Sequence, residues 1–136
     1  MLDFTALESA LLQLKEHHNL AKEEQDLIRK FAFKTATIKS FEYTYEIIFK
    51  MLKRVMENNA ISNDEFDHLN FRELLRISAE VGLIEDPQTW FYFREKRNIT
   101  SHTYDKKKAE DIFSIIPNFI EEAEKLLIKL KQRDVS

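Results

Sequence analysis

The chain contains no cysteine. Disulfides, thiolate nucleophiles and cysteine-ligated zinc are therefore excluded, and the composition fits a reducing compartment. Turn formers are nearly as scarce, with one glycine (Gly82) and two prolines (Pro87 and Pro117) in 136 residues. A β-sandwich or a βαβ fold needs turns far more often than that. No apolar run approaches the ~18 residues of a membrane-spanning helix. The opening MLDFTALESALLQL carries Asp3 and Glu8, where a secretory signal would have a basic start and an unbroken apolar stretch. These absences leave an all-α protein, expected to be cytoplasmic and away from the membrane.

What is present supports that reading. Apolar residues make up 43% of the chain, enough for a core, and the length suits one domain over residues 1–136. Phe4, Leu7, Leu11 and Leu14 recur at helical spacing and predict a first helix over about residues 3–17. A second helix is expected from about Lys22 to Asn58, with Ile38, Phe41, Tyr45, Ile48, Leu52 and Val55 on one face. At 1.5 Å per residue it would approach ~50 Å, long enough to expect a bend. The run NNAISNDEFDHLN (58–70) reads as a polar loop. Asn70 and Glu73 suit a helix start, and Gly82 suits a left-handed helix end. Asp86 and Pro87 suit the next start. The last helix should begin near Asp105, carry Ile112, Ile116, Phe119, Ala123, Leu126 and Leu130 inward, and be kinked by Pro117. Short links between amphipathic helices predict an up-and-down antiparallel bundle of four to five helices.

The charge is unevenly spread. A net charge of −3 argues against a non-specific nucleic-acid binder. Residues 94–108 nevertheless hold six basic side chains against two acidic ones, a local excess of four. Inside that window lies RNITSHTYD (97–105). An unbroken helix would set Arg97 and His102 ~140° apart. A helix end near Thr100 would let His102 swing back toward Arg97. Arginine can hold a phosphate with a planar fork of donors, and an imidazole exchanges protons near neutral pH. Tyr104 adds a hydroxyl open to hydrogen bonding or modification. Lys106, Lys107 and Lys108 would fall in the first turn of the last helix, against its dipole, which points weakly to an anion nearby. Metal-free RNA cleavage needs a base and an acid, and a two-fold dimer joining two such junctions would supply both. The spacing alone equally fits capping and surface groups, with Tyr104 packed on the bundle end.

Other polar groups carry less. His17 and His18 are adjacent, point to different faces and read as a solvated helix end rather than a metal pair. DEFDH (64–68) reads as solvated loop charge. Glu42 and Glu46 flank the apolar stripe of the second helix, and Glu42 is the candidate for a third polar group at the junction.

Arg97-x4-His102-x-Tyr104 resembles the motif of HEPN domains, small helical bundles found beside minimal nucleotidyltransferases. With FEYTYE (41–46) and GLIEDPQTW (82–90), the run is similar to the branch called nucleotidyltransferase substrate-binding proteins. The similarity spans nearly the whole chain. The resemblance implies a homodimer that assembles with a minimal nucleotidyltransferase and presents a nucleotide- or substrate-binding cleft at the dimer interface. In related pairs the HEPN chain is an RNA-cutting toxin, silenced when its partner transfers AMP to the motif tyrosine. Carried over, Arg97 and His102 would be catalytic, Tyr104 the modified residue, and Asn98 a group orienting the arginine. The family often has acidic residues where this chain has Lys106, Lys107 and Lys108, which favours a polyanion, whether RNA or a nucleotide. Transferases of the partner's type use a Gly-Ser pair and paired aspartates, whereas Gly82 here precedes Leu83. This chain is therefore not itself the transferase, and no cofactor or metal is implied.

Overall fold

The computed structural model describes residues 2–58 and 70–135. The predicted loop and the DEFDH cluster fall almost wholly outside the described residues. Helix α1 spans Thr5–Glu23 and α2 spans Leu27–Asn58 without interruption. Then come α3 (Phe71–Glu80) and α4 (Pro87–Asn98). A 3-10 turn over Thr100–His102 follows. Helices α5 (Lys106–Ser114) and α6 (Ile116–Val135) complete the order. The fold is an all-α bundle, and the described residues form five helices when α5 and α6 count as one kinked element.

Most helix ends follow local chemistry visible in the residues. Asn70 accepts a hydrogen bond from the Glu73 N–H at 2.9 Å, and Asp86 accepts one from Gln88 at 2.9 Å with Pro87 in the first turn. Gly82 has φ +85° and ends α3. The Leu83 N–H then reaches back to the Ser78 carbonyl at 2.8 Å, taking up an acceptor the helix end leaves open. Pro117 lacks the N–H that α5 would need to continue, and the helix breaks at Ile115 just before it.

The first helix corrects its predicted end. It runs six residues past His17 to Glu23, because LAKE holds good helix formers and no breaker. The second helix accordingly starts at Leu27, after a three-residue link, rather than near Lys22. Lys30 closes the link, its ammonium donating to the Lys22 and Glu24 carbonyls at the open end of α1. Neither adjacent histidine is a solvated end. The His17 Nδ1 lies 2.7 Å from the Ser40 hydroxyl. His18 is only 5% exposed and packs against Phe113 at 5.2 Å between ring centroids. Burial, helped by nearby Lys22, lowers the His18 pKa and favours the neutral ring.

One apolar cluster takes residues from each of the six described helices. Its centre is aromatic. Phe119 meets Phe41 at 4.8 Å and Phe93 at 5.1 Å, both edge to face, and Trp90 stands at 6.0 Å. Such pairs add about 0.5–1.5 kcal/mol each beyond the area they bury. This cluster fixes α4 against α2 and α6, and α4 carries the arginine of the motif.

Candidate functional site

Trp90, Phe93 and Arg97 follow one another at steps of three and four along the inner face of α4. The first two are buried in the aromatic centre. Arg97 therefore leaves the helix on its core-facing side, just beyond the last buried ring, and meets α2. There its Nε lies 2.5 Å from Glu46 Oε1. The N–H is not aimed at that oxygen, so the contact is an ion pair rather than an aligned hydrogen bond. With both side chains about a third exposed, 33% and 37%, the pair contributes at most about 1 kcal/mol to stability. Its main effect is to fix where the guanidinium sits.

Behind this pair lies Tyr45, 1% exposed. Its hydroxyl and the Nε groups of Arg94 and Arg97 are shut off from solvent without an aligned hydrogen-bond partner. Burial pushes the Tyr45 hydroxyl up to about 12, with the charge of neighbouring Arg94 acting in the opposite direction.

Helix α4 ends at Asn98, close to the predicted Thr100, and the Thr100 hydroxyl donates to the Arg97 carbonyl at 2.8 Å. The 3-10 turn that follows carries His102, whose backbone N–H bonds to the Ile99 carbonyl at 3.0 Å. His102 Nδ1 lies 3.1 Å from the Tyr104 hydroxyl, with the rings edge to face at 5.8 Å. Tyr104 is 78% exposed and does not pack on the bundle end. The motif is thus organised as two pairs, Arg97 with Glu46 and His102 with Tyr104. No hydrogen bond joins the pairs among the described residues.

Asp105 caps α5, its carboxylate accepting from the Lys107 and Lys108 N–H groups at 3.0 and 3.3 Å. This carboxylate is an anion that the chain itself supplies at the first turn of α5. Lys106 borders an open hollow of 210 Å³ with Leu27, Lys30, Phe31 and Lys34. Asn98 is exposed at the last turn of α4. Glu42 pairs with Lys39 at 3.4 Å, while its neighbour one turn on, Glu46, is the carboxylate that touches Arg97. Residue spacing alone missed a further polar chain, His17–Ser40–Tyr43, with 3.2 Å between the last two hydroxyls. Ser40 is 1% exposed, which bars it from acting as a nucleophile on a substrate. Among the described residues no three histidine or carboxylate side chains gather closely enough to hold a metal ion, and no helix is long and apolar enough to cross a membrane.

Comparison with known proteins gives the family and the fold. The pattern described as "Nucleotidyltransferase substrate binding protein like" matches residues 2–132. The chain belongs to this family. A probable ribonuclease HepT of Haemophilus influenzae is 35% identical over 131 residues, which cover 96% of this chain and 88% of that protein. A solved Haemophilus influenzae structure, described as revealing the fold of a substrate-binding domain of a nucleotidyltransferase, superposes with a TM-score of 0.90. It is 32% identical and covers 95% of this chain and 99% of its own. A Thermus thermophilus structure gives a TM-score of 0.73 at 28% identity, covering 91% and 98%. The HEPN fold expected from the motif is therefore the fold of this chain, and the family name associates it with a nucleotidyltransferase.

Proposed function

We propose that this nucleotidyltransferase substrate-binding protein is a cytoplasmic homodimer, one domain per chain, that docks a minimal nucleotidyltransferase and offers a phosphate-binding cleft at its dimer interface. The observation that carries the reading is the fixed Arg97. Its Nε lies close to Glu46 and is shut off from solvent, so the Nη edge is the part of the fork left to receive a phosphate. His102 and Tyr104 stand five and seven residues on, beyond the end of the same helix. Lys106, Lys107 and Lys108 add positive charge, and Asn98 lies next to the arginine. The test is co-purification with the cognate transferase, followed by titration with AMP or a short RNA. Loss of binding in Arg97→Ala with the assembly intact is the expected result. An unchanged titration would remove the cleft.

A second reading, as a metal-independent endoribonuclease, is favoured by the name of the 35% identical Haemophilus influenzae relative and by the state of Tyr104. In this reading one His102 takes the proton of the ribose 2′-hydroxyl. That oxygen attacks the adjacent phosphorus, and the partner protomer's His102 protonates the departing 5′-oxygen. The products are a 2′,3′-cyclic phosphate and a 5′-hydroxyl, with Arg97 stabilising the charge on phosphorus. Tyr104 is exposed enough to be adenylylated, and the modification would remove the hydroxyl that His102 contacts. RNA cleavage in EDTA that vanishes in His102→Ala is the expected sign. Cleavage by neither protein would leave the binding subunit alone.

A further inference from the structure

The charge on this fold is not confined to the motif. On the face made by α3 and α4, three arginines lie over Phe71, Phe91 and, from neighbouring α2, Phe49. Arg72 stands 4.9 Å from the centre of Phe91 and 5.5 Å from that of Phe71. Arg76 lies 5.9 Å from Phe91. Arg94 covers Phe71 at 4.5 Å and Phe49 at 5.7 Å. Phe71 and Phe91 themselves meet edge to face at 6.4 Å, so the rings form a continuous floor.

Two features set this surface apart from ordinary solvated charge. Glu73 and Glu80 share α3 with the arginines, and Arg76–Glu73 and Arg76–Glu80 have the spacing of helical ion pairs. Yet among the described residues none of Arg72, Arg76 or Arg94 pairs with a carboxylate. The guanidiniums instead lie on the rings. Stacking restricts each cation and, at the exposed Arg72 and Arg76, leaves in-plane N–H groups for phosphate oxygens and an outer guanidinium face for a base, while Arg94, its Nε shut off from solvent, anchors the rings. The second feature is continuity. Arg94 and Arg97 are three residues apart on α4, so the stacked surface begins ~4.5 Å along the helix axis from the motif arginine.

We infer that the arginine-over-phenylalanine surface of α3 and α4 is an exosite for single-stranded RNA, holding the strand that extends from a phosphate bound at Arg97. The inference rests on the phosphate-binding cleft proposed above and deepens it, since it makes the substrate a strand rather than a lone nucleotide. Stacked cations interleaved with rings are how proteins grip single strands with little regard to sequence. An acidic protein partner needs the charges but not the rings.

The test compares a labelled oligouridylate of about 20 nucleotides with uridylyl-uridine, using the full-length protein as it assembles. The variants are Arg72→Gln/Arg76→Gln and the charge-keeping Arg72→Lys/Arg76→Lys. Both side chains are exposed, so both proteins should fold, which circular dichroism and sedimentation would check. The long strand should bind the Gln pair about ten-fold more weakly. Its log–log salt slope should fall by about 1.4, near 0.7 for each single-strand phosphate that is no longer neutralised. The Lys pair should keep the slope and lose part of the affinity. Dinucleotide binding should not move in either. An unchanged long-strand affinity and slope in the Gln pair, with the dinucleotide still bound, overturns the exosite and leaves the cleft. Long-strand binding that depends on Arg72 and Arg76, in a protein blind to the dinucleotide, keeps the exosite and overturns the cleft. A Gln pair that binds RNA normally but loses its nucleotidyltransferase or its second copy makes the surface a protein interface, and the proposal fails.

Discussion

Asp105 sits between the exposed Tyr104 and a triple lysine, and removing it tests how the motif segment is anchored. Its carboxylate serves the N–H groups of Lys107 and Lys108, at the start of a helix whose first turn is wholly basic. Losing an N-cap typically costs about 1 kcal/mol. Losing a negative charge at the positive end of a helix dipole, here with three cations crowding it, adds about 0.5 kcal/mol. Lys107 is exposed, so water can replace part of the lost bonding, which keeps the sum near the middle of the range. Asp105→Ala should therefore cost about 1.5 kcal/mol, or about 6 °C in Tm for a domain of this size. Asp105→Asn keeps an oxygen for the N–H groups and should lose only about 0.5 kcal/mol. Urea unfolding followed by far-UV circular dichroism measures both. Salt at about 1 M, where screening reaches ~3 Å, should erase most of the Asn deficit and little of the Ala deficit. If Asn costs as much as Ala, charge and not capping holds this turn, and the assignment of Asp105 as the cap is wrong.

Four further outcomes follow from the geometry. His18 is held neutral in the fold, so below pH ~6.5 the unfolded chain binds the extra proton. Its contribution is full above that pH and falls by at most about 1.4 kcal/mol per unit as pH drops, and His18→Leu should flatten this part of the stability profile. Phe119→Ala opens the aromatic centre and should cost about 3–5 kcal/mol in urea unfolding, with Phe119→Leu well below that. A Cβ at Gly82 has room, its nearest neighbour being 3.7 Å away. Gly82→Ala should thus lose about 1–2 kcal/mol of stability through φ alone, and a loss near zero would show that the helix end relaxes. Glu46→Gln should change stability by less than about 1 kcal/mol yet alter phosphate affinity several-fold by titration; an unchanged affinity would mean that Arg97 is not the phosphate ligand.

The local grammar of this chain was readable wherever one residue decides a boundary. Asn70, Gly82, Asp86 with Pro87, Asp105 and Pro117 each act within a turn of their own position, and each does what its chemistry predicts. The stripes on α2 and on α5 with α6 were readable because every named position from Ile38 to Val55 and from Ile112 to Leu130 is buried. The end of α1 was not, because its last turns carry few apolar residues and the apolar period fades before the helix does. His18 looked solvated for the same reason. Its burial depends on Phe113, 95 residues away in sequence, and no local pattern contains that contact. Glu42 and Glu46 differ by only ~40° around α2, so choosing the one that meets Arg97 requires the rotation of α4 against α2. That rotation is set by Phe41, Trp90, Phe93 and Phe119 packing together.

The two pairs of the motif differ in how firmly the fold holds them. Arg97 continues the buried stripe of α4 and is fixed by Glu46, so its position follows from the aromatic centre and should survive changes in the turn. His102 and Tyr104 lie beyond the helix end, and their contact joins two residues of the same turn. A ligand or a modification at Tyr104 can therefore reorient the imidazole without disturbing the core. That division suits the function proposed above, in which the anion-binding half would be constant and the proton-transferring half switchable. On that reading the switch is the most exposed side chain of the motif, Tyr104, which a modifying enzyme would reach without unfolding the chain.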